Sequence, residues 1–315
     1  MNLKLLRPSN FEEFIGKEQI KNNLKVYIQS AIKNNQQLDH VILYGKPGMG
    51  KSSLASIIAS EMKSEIKIIQ GPSIQRISDI YNFALNIKQG DVIFIDEIHG
   101  INPVCFEILY PLMELYCLDI SIGKEFNSKI TRIKIPEFTL IGATTLLNKI
   151  PQPLEDRFGI TINLKDYTLE EIFQILKSVS KRVKLKIEEI DLEIIAKNSK
   201  GIPRNAIRIL NRIIDFINLN ENINVKNIIK KLGIYEDGLT TDDIDYLKLF
   251  SQKADNYIGI KTISQNLGLS TEFIESRIEP YLLSQNYIEK NFHGRKITDK
   301  GVKFINKQID KGGDD

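Results

Sequence analysis

Short apolar runs alternate with amphipathic stretches through the first half of the chain. Val41–Tyr44, Ile66–Ile69, Val92–Ile95, Phe138–Ile141 and Thr161–Leu164 are β-rich and apolar on both sides. Strands of a parallel sheet covered by helices on both faces have this pattern. Between them, Ile20, Leu24, Ile28 and Ile32 recur at four-residue steps, and Leu54, Ile57, Ile58 and Met62 mark a second apolar helix face. The alternation predicts an α/β domain built on a parallel sheet, spanning residues 1–167.

After Tyr167 the strand pattern stops. Thr168 followed by Glu171 reads as a capping box, opening a helix whose face is Leu169, Ile172, Phe173, Leu176 and Val179. Asp191 is placed to cap a second helix, and Ile207, Leu210, Ile213, Ile214 and Ile217 mark a third. These predict a small all-helical domain over 168–238. From 239 to 315 the order changes again. A helix with Leu247 and Phe250 leads to Thr262–Leu267, the turn Gly268-Leu269-Ser270, a helix through Leu283, and two short strands, Tyr287–Asn291 and Arg295–Thr298. Helix, glycine turn, helix and hairpin make a winged helix-turn-helix. The tail from Lys311 to Asp315 is expected to be disordered.

Composition narrows the setting without changing this outline. The chain has 315 residues, enough for two or three domains, with 42% hydrophobic and 26% charged residues. No 18-residue apolar stretch occurs, and the N-terminus lacks the apolar core of a signal peptide. Cys105 and Cys117 have no metal-ligand spacing and read as reduced core thiols of a cytoplasmic protein. A formal charge of +3 permits a nucleic-acid partner but does not demand one.

The chemistry is concentrated in two segments. Gly45-Lys-Pro-Gly48-Met-Gly50-Lys51-Ser52-Ser53 follows the first apolar run and precedes a helix, the context a phosphate-binding loop requires. Its glycines let backbone N–H groups converge on phosphate oxygens, and the helix adds its positive end. Lys51 is positioned for the β- and γ-phosphates of ATP, and the Ser52 hydroxyl for Mg2+. Val92–Ile95 then delivers Asp96 and Glu97 to a strand end. Asp96 suits the metal through its water, and Glu97 suits activation of the attacking water. A second acid beside the metal-binding one favours hydrolysis over transfer to a small molecule. His99, close behind, reads as a structural or surface histidine.

With these segments, Gly142-Ala-Thr-Thr145, Asp156-Arg157-Phe158-Gly159 and Gly201-Ile-Pro-Arg204 complete an ordered set that resembles AAA+ ATPases. Leu5–Pro8, Leu38–Val41, Glu107–Glu114, Leu118–Gly123, Phe138–Thr145 and Glu279–Leu283 narrow the resemblance to the RuvB family, motors of Holliday-junction branch migration in recombination and repair. The resemblance implies nucleotide contacts at Leu6, Arg7, Gly48, Lys51, Ser52, Ser53, Glu114, Leu115, Tyr116, Tyr167 and Arg204, with Thr145 as the sensor at its strand end. It implies that Arg157 is an arginine finger supplied by a neighbouring subunit, so that turnover needs a ring, expected to be a hexamer. Serines at 52 and 53 replace the family's usual threonines and supply the same hydroxyl, and Glu155 stands where another arginine is frequent.

Ile120 and Ile122, then Ile133 and Ile135, flank the polar stretch Lys124–Lys129 and predict a hairpin over 118–135. The resemblance makes it the docking site for RuvA, in an assembly that also takes a RuvC-type resolvase. It assigns DNA contact to the wing at Lys290, His293 and Arg295, three places where the family has arginines; Arg295 keeps that residue, and Lys290 and His293 depart from it. Lys290 keeps the charge but loses the bidentate fork. Such contacts imply sequence-independent binding of duplex and four-way junction DNA. Two rival readings use the same motifs: a clamp loader or replication initiator, and a DNA-binding scaffold with ATP as a latch. Glu97 and Arg157 argue against the latch, which needs neither.

Overall fold

The computed structural model describes residues 7–122, 129–219, 224–250 and 256–311. They fall into two compact units, Met1–Glu189 with Gly201–Ile207, and Ile190–Lys200 with Arg208–Asp315.

The first unit runs α1 (Glu18–Lys33), β1 (Val41–Tyr44), α2 (Lys51–Glu61), β2 (Ile66–Gln70), α3 (Ile77–Ala84), β3 (Val92–Asp96), α4 (Pro103–Glu114), β4 (Cys117–Ile122), β5 (Lys129–Lys134), β6 (Thr139–Thr144), α5 (Gln152–Glu155), β7 (Ile160–Asn163) and α6 (Leu169–Arg182). Five strands form one parallel sheet in the order β2-β3-β6-β1-β7. The expected two-sided burial holds for the three inner strands. At one edge β7 alternates buried Ile160 and Ile162 with exposed Thr161 and Asn163. At the other, Ile68 of β2 is 59% exposed. Both are edge strands, with a sheet neighbour on one side only.

Four-residue spacing also overstates the α1 face. Each step of four turns the helix by about 400°, so three steps drift by about 120°. Leu24 and Ile28 are buried, whereas Ile32 has rotated into solvent and Lys21 and Ala31 complete the buried stripe. The predicted capping box of α6 is present: Thr168 Oγ1 accepts from the Glu171 amide, and the Glu171 carboxylate accepts from the Thr168 amide. Leu169, one of the five residues assigned to the α6 face, is exposed, while Ile172, Phe173, Leu176 and Val179 are buried. The main core packs Ile93, Ile95 and Leu140 of the sheet against Leu109 and Leu112 of α4 and against Phe158. Cys105 and Cys117 are free and buried, as expected.

The second unit contains α7 (Glu189–Lys197), the body of α8 (Pro203–Asn218), α9 (Val225–Lys231), α10 (Thr241–Lys248), α11 (Ile260–Leu267), α12 (Thr271–Phe273), α13 (Glu279–Ser284), β8 (Ile288–Asn291), β9 (Gly294–Ile297) and α14 (Asp299–Lys311). Asp191 lies inside α7, which starts two residues earlier; acids in a first turn still complement the helix dipole. Gly268, in the left-handed region at φ 64°, closes α11, and Ser270 caps the next helix through the Phe273 amide. A π segment, Ile274–Ile278, joins α12 to α13. Pro280 follows it and has no N–H to donate to the carbonyl four residues back. Tyr246, Phe250, Ile274, Leu282, Tyr287 and Ile305 anchor this unit's core. α14 ends at Lys311, the first residue of the expected tail; the rest of that tail, residues 312–315, lies outside the described residues.

Candidate functional site

β1 ends at Tyr44, and the Gly45 amide donates to the Thr144 carbonyl of β6 (3.3 Å) before the chain loops into α2. Gly48 has φ 84°, and a Cβ there would lie 2.8 Å from Cβ of Arg204. Only glycine lets the loop pass so close beneath the Gly201–Arg204 turn. Tyr167 donates its hydroxyl to the Met49 carbonyl (3.2 Å), and the Lys17 ammonium lies 4.1 Å from its ring centre. Burial pushes the Tyr167 phenol up, so it stays a neutral donor beneath the loop.

Lys51 is 7% exposed and donates to the carbonyls of Gly45 (2.8 Å) and Lys46 (3.1 Å). Burial pulls its ammonium below the usual lysine range; the carboxylates of Glu97 and Asp96 oppose that, and Arg204 adds to it. Lysine and arginine charges thus converge on one loop, with two acids for company. That is the field a polyphosphate binds. Ser52 and Ser53 lie half-buried in the first turn of α2.

Asp96 closes β3, and Glu97 turns away from the strand in the left-handed region at φ 50°. A non-glycine residue held there costs about 1–3 kcal/mol, a strain that gathers at working sites. The turn brings Glu97 Oε2 to 3.3 Å from the Thr145 hydroxyl, which donates to it. His99 Nδ1 lies 3.3 Å from the same carboxylate oxygen and 2.9 Å from Thr144 Oγ1. His99 therefore belongs to the acid cluster rather than to the surface. Its signal in the sequence was its place two residues beyond Glu97, on the tight turn Ile98–Gly100 that carries it back toward β6.

Glu114, Leu115, Tyr116 and Arg157 form a different group. The Met113 carbonyl meets His40 Nε2 (3.0 Å), and His40 immediately precedes β1. Tyr116 packs on His40 and Phe138 at the same starts of strands, and burial pushes its phenol up. Arg157 precedes β7, whose Ile160 is in register with Val41 at the start of β1. Its guanidinium pairs with Glu114 (2.8 Å), donates to the Pro153 carbonyl and lies 4.8 Å from the Tyr110 ring. The phosphate loop leaves the other end of β1, about 13 Å along the strand. The residues assigned to nucleotide thus occupy opposite ends of one sheet, and Arg157 is gathered with Glu114 rather than with Lys51.

Arg7 is exposed, with its carbonyl accepting from Arg182 (3.2 Å); Leu6 lies outside the described residues. The predicted hairpin is present as the two-stranded antiparallel sheet β4–β5. Leu118 and Ile135 are buried at its base, Asp119 and Arg132 pair across it (2.8 Å), and Ile130 is 76% exposed toward its far end. Residues 123–128, the polar tip, lie outside the described residues.

In the second unit, β8 and β9 form the wing. Lys290 and Arg295 stand opposite each other across the strands. Both pair with Glu275 and Glu279; Arg295 lies 2.6 Å from Glu275 and 2.7 Å from Glu279. The Arg295 side chain is 7% exposed, so its charge is compensated within the chain. Burial alone would lower it, but the bonds to Glu279 and Glu275 hold it above the usual arginine value. Lys290 is half-exposed and His293 is exposed.

Phosphate loops set between a strand and a helix, with paired acids on a strand beyond one neighbour, are the signature of P-loop ATPases, and the first unit places the chain in that class. Comparison with known proteins narrows it. Family models match along the chain as the Holliday junction DNA helicase RuvB P-loop domain at residues 6–164, the RuvB AAA lid domain at 167–237 and the RuvB C-terminal winged helix domain at 236–306. The Holliday junction branch migration complex subunit RuvB of Ureaplasma urealyticum serovar 10 is 46% identical over 307 residues, covering 97% of this chain and 98% of that one. The subunit of the same name from Mycoplasma genitalium is 43% identical, covering 97% and 99%. The solved structure of the Thermotoga maritima RuvB Holliday junction branch migration motor matches with a TM-score of 0.82 at 34% identity, covering 96% and 98%. The chain belongs to the RuvB family. Among the described residues, no helix is long and apolar enough to cross a membrane.

Proposed function

We propose that this chain is an ATP-driven motor of Holliday-junction branch migration, working as a hexameric ring on duplex DNA with RuvA, in an assembly that admits a RuvC-type resolvase. Its parts are an ATPase domain over 1–167, a helical lid over 168–238 and a winged-helix head over 239–315. The observation that carries this reading is the division of the nucleotide residues between the two ends of the sheet. Lys51, Ser52, Ser53, Asp96, Glu97, Thr145, Tyr167 and Arg204 gather at the phosphate loop, and Glu114, Leu115, Tyr116 and Arg157 at the far end. One copy carries both halves of a site that it cannot close on itself. A ring closes it by apposing the Arg157 end of one copy to the loop of the next.

In the assembled site Lys51 exchanges its two carbonyl partners for phosphate oxygens, and Arg204 adds a second cation from the lid. Glu97, oriented by Thr145 and His99, takes the proton of the attacking water. Arg157 from the neighbour places fixed charge where the transition state develops it. The hydroxyl of Ser52 and the carboxylate of Asp96 suit Mg2+, a hard cation that prefers oxygen donors and keeps several waters. When bound, the metal would offset the negative charge of the nucleotide phosphates. The β4–β5 hairpin, with Ile130 exposed, is the RuvA-docking element, and the wing is the DNA-contacting one. In this reading Lys290 and His293 lie at the wing surface and Arg295 braces it.

The test is a synthetic four-way junction incubated with ATP and this protein, with and without RuvA. The expected result is resolution into duplexes. ATP turnover without resolution in either condition, accompanied by loading of a sliding clamp or origin-specific binding, would move the chain to the clamp-loader or initiator reading.

A further inference from the structure

The wing ends in the two-residue turn Phe292-His293 between β8 and β9. Phe292 is 92% exposed, although an isolated phenylalanine in water forfeits the benefit of burial. The turn that presents it is braced. The His293 amide donates to Asn291 Oδ1 (2.8 Å), and the His293 ring centre lies 4.0 Å from that of Phe292 and 6.3 Å from that of Tyr257. Tyr257 is fixed in turn by its hydroxyl, which donates to Glu289 (2.6 Å).

Behind this row of rings the charges cancel. Lys290 and Arg295 face Glu275 and Glu279, and Lys296 stands opposite Glu289 in the strand pairing. Like charges opposed across two strands are unfavourable, and the two glutamates from the preceding helix offset that. The same helix exposes Glu272 and Glu275 beside Arg277, a poor surface for the floor of a major groove. The wing therefore offers duplex DNA little net charge and one projecting aromatic ring.

We propose that Phe292 is an apolar wedge for duplex DNA, its ring entering the minor groove and packing against a base step, backed by His293 and Tyr257. The proposal rests on the duplex-binding reading above. Apolar side chains in the minor groove work by partly unstacking one step. Every base has a π-face, so the contact is sequence-tolerant, as a motor that travels along DNA requires. Unlike a phosphate contact, it releases no counterion.

The experiment measures binding of the full-length protein to a short duplex carrying one fluorescent base analogue whose emission rises on unstacking, over a series of salt concentrations. Phe292→Ala is expected to weaken binding by about tenfold at every salt concentration, with the slope of log affinity against log salt unchanged. The emission rise seen with the wild type disappears, and Phe292→Leu restores most of both. Melting temperatures equal to the wild type show that the exposed ring does not hold the fold. Wild-type binding by Phe292→Ala overturns the wedge and leaves duplex binding standing. A changed salt slope also overturns it, because the ring then acts through phosphates. So does a changed oligomeric mass of Phe292→Ala without DNA, which assigns the ring to a contact between copies. Failure of the wild type to bind duplex at all removes the parent reading as well.

Discussion

Arg157 sits where charge balance alone would leave it inert. It is paired with Glu114 and stacked on Tyr110, at the end of the sheet away from its own phosphate loop. The resemblance to RuvB motors gave the finger role to this residue, and the structure adds Glu114 as the group that holds it. Exposed ion pairs are weak, and Glu114 is more than half exposed, so in the proposed finger role the pair with Glu114 is a weak restraint on Arg157. Arg157→Ala is expected to lower ATP turnover by about a thousandfold or more while nucleotide binding persists. Lys51→Ala loses turnover by the other route, at the loop. Mixing the two variants regenerates intact interfaces, so turnover returns in the mixture and in neither alone. Two inactive variants that stay inactive when mixed place both residues in one copy's site. His99 shows the converse at this scale: its identity said little, and the turn after Glu97 decided its role.

At the scale of elements, α6 is held by a carboxylate with several tasks. Glu171 accepts from the amides of Thr168 (2.8 Å) and Lys17 (3.1 Å), and the Lys17 ammonium is 3.6 Å away. Burial alone would raise the Glu171 carboxyl. The two backbone hydrogen bonds and the Lys17 charge outweigh it and hold the carboxyl below the usual glutamate range. A carboxyl lowered in the folded state stabilises it above the unfolded-state value, and that gain is lost as pH falls through the folded value. Glu171→Gln keeps an acceptor without the charge. It is expected to cost about 1 kcal/mol at neutral pH, with the gap to wild type closing in acid. Urea transitions of both proteins along a pH series from neutral to acidic measure this; a gap independent of pH would show that the charge does not matter. The capping box itself was legible in the sequence, because it is local. The bonds from Glu171 to Lys17, 154 positions away, were not.

At the scale of the whole molecule, the residues assigned to nucleotide lie at two ends of one sheet, and the proposed shared site has as its consequence a dependence on concentration. ATP turnover per subunit is expected to rise steeply with protein concentration and to vanish in dilute solution, since dilution separates the two halves of each site. Turnover per subunit that stays constant down to concentrations where sedimentation shows single copies contradicts the shared site.

Local chemistry is what the sequence determined without help. The phosphate loop, the acid strand, the strand pattern and the helix-turn-helix punctuation all depend on residues within a few positions of one another, so spacing alone reveals them. Edge exposure at Ile68 depended on its place in the sheet, which periodicity does not register, whereas the drift of Ile32 into solvent follows from the helix period itself. Tertiary structure alone decided which charges meet. It paired Arg295 with Glu275 and Glu279, brought Glu171 to Lys17, and set Arg157 apart from Lys51. An ion pair forms wherever the folded backbone brings two side chains within reach, and a linear pattern carries no record of that distance.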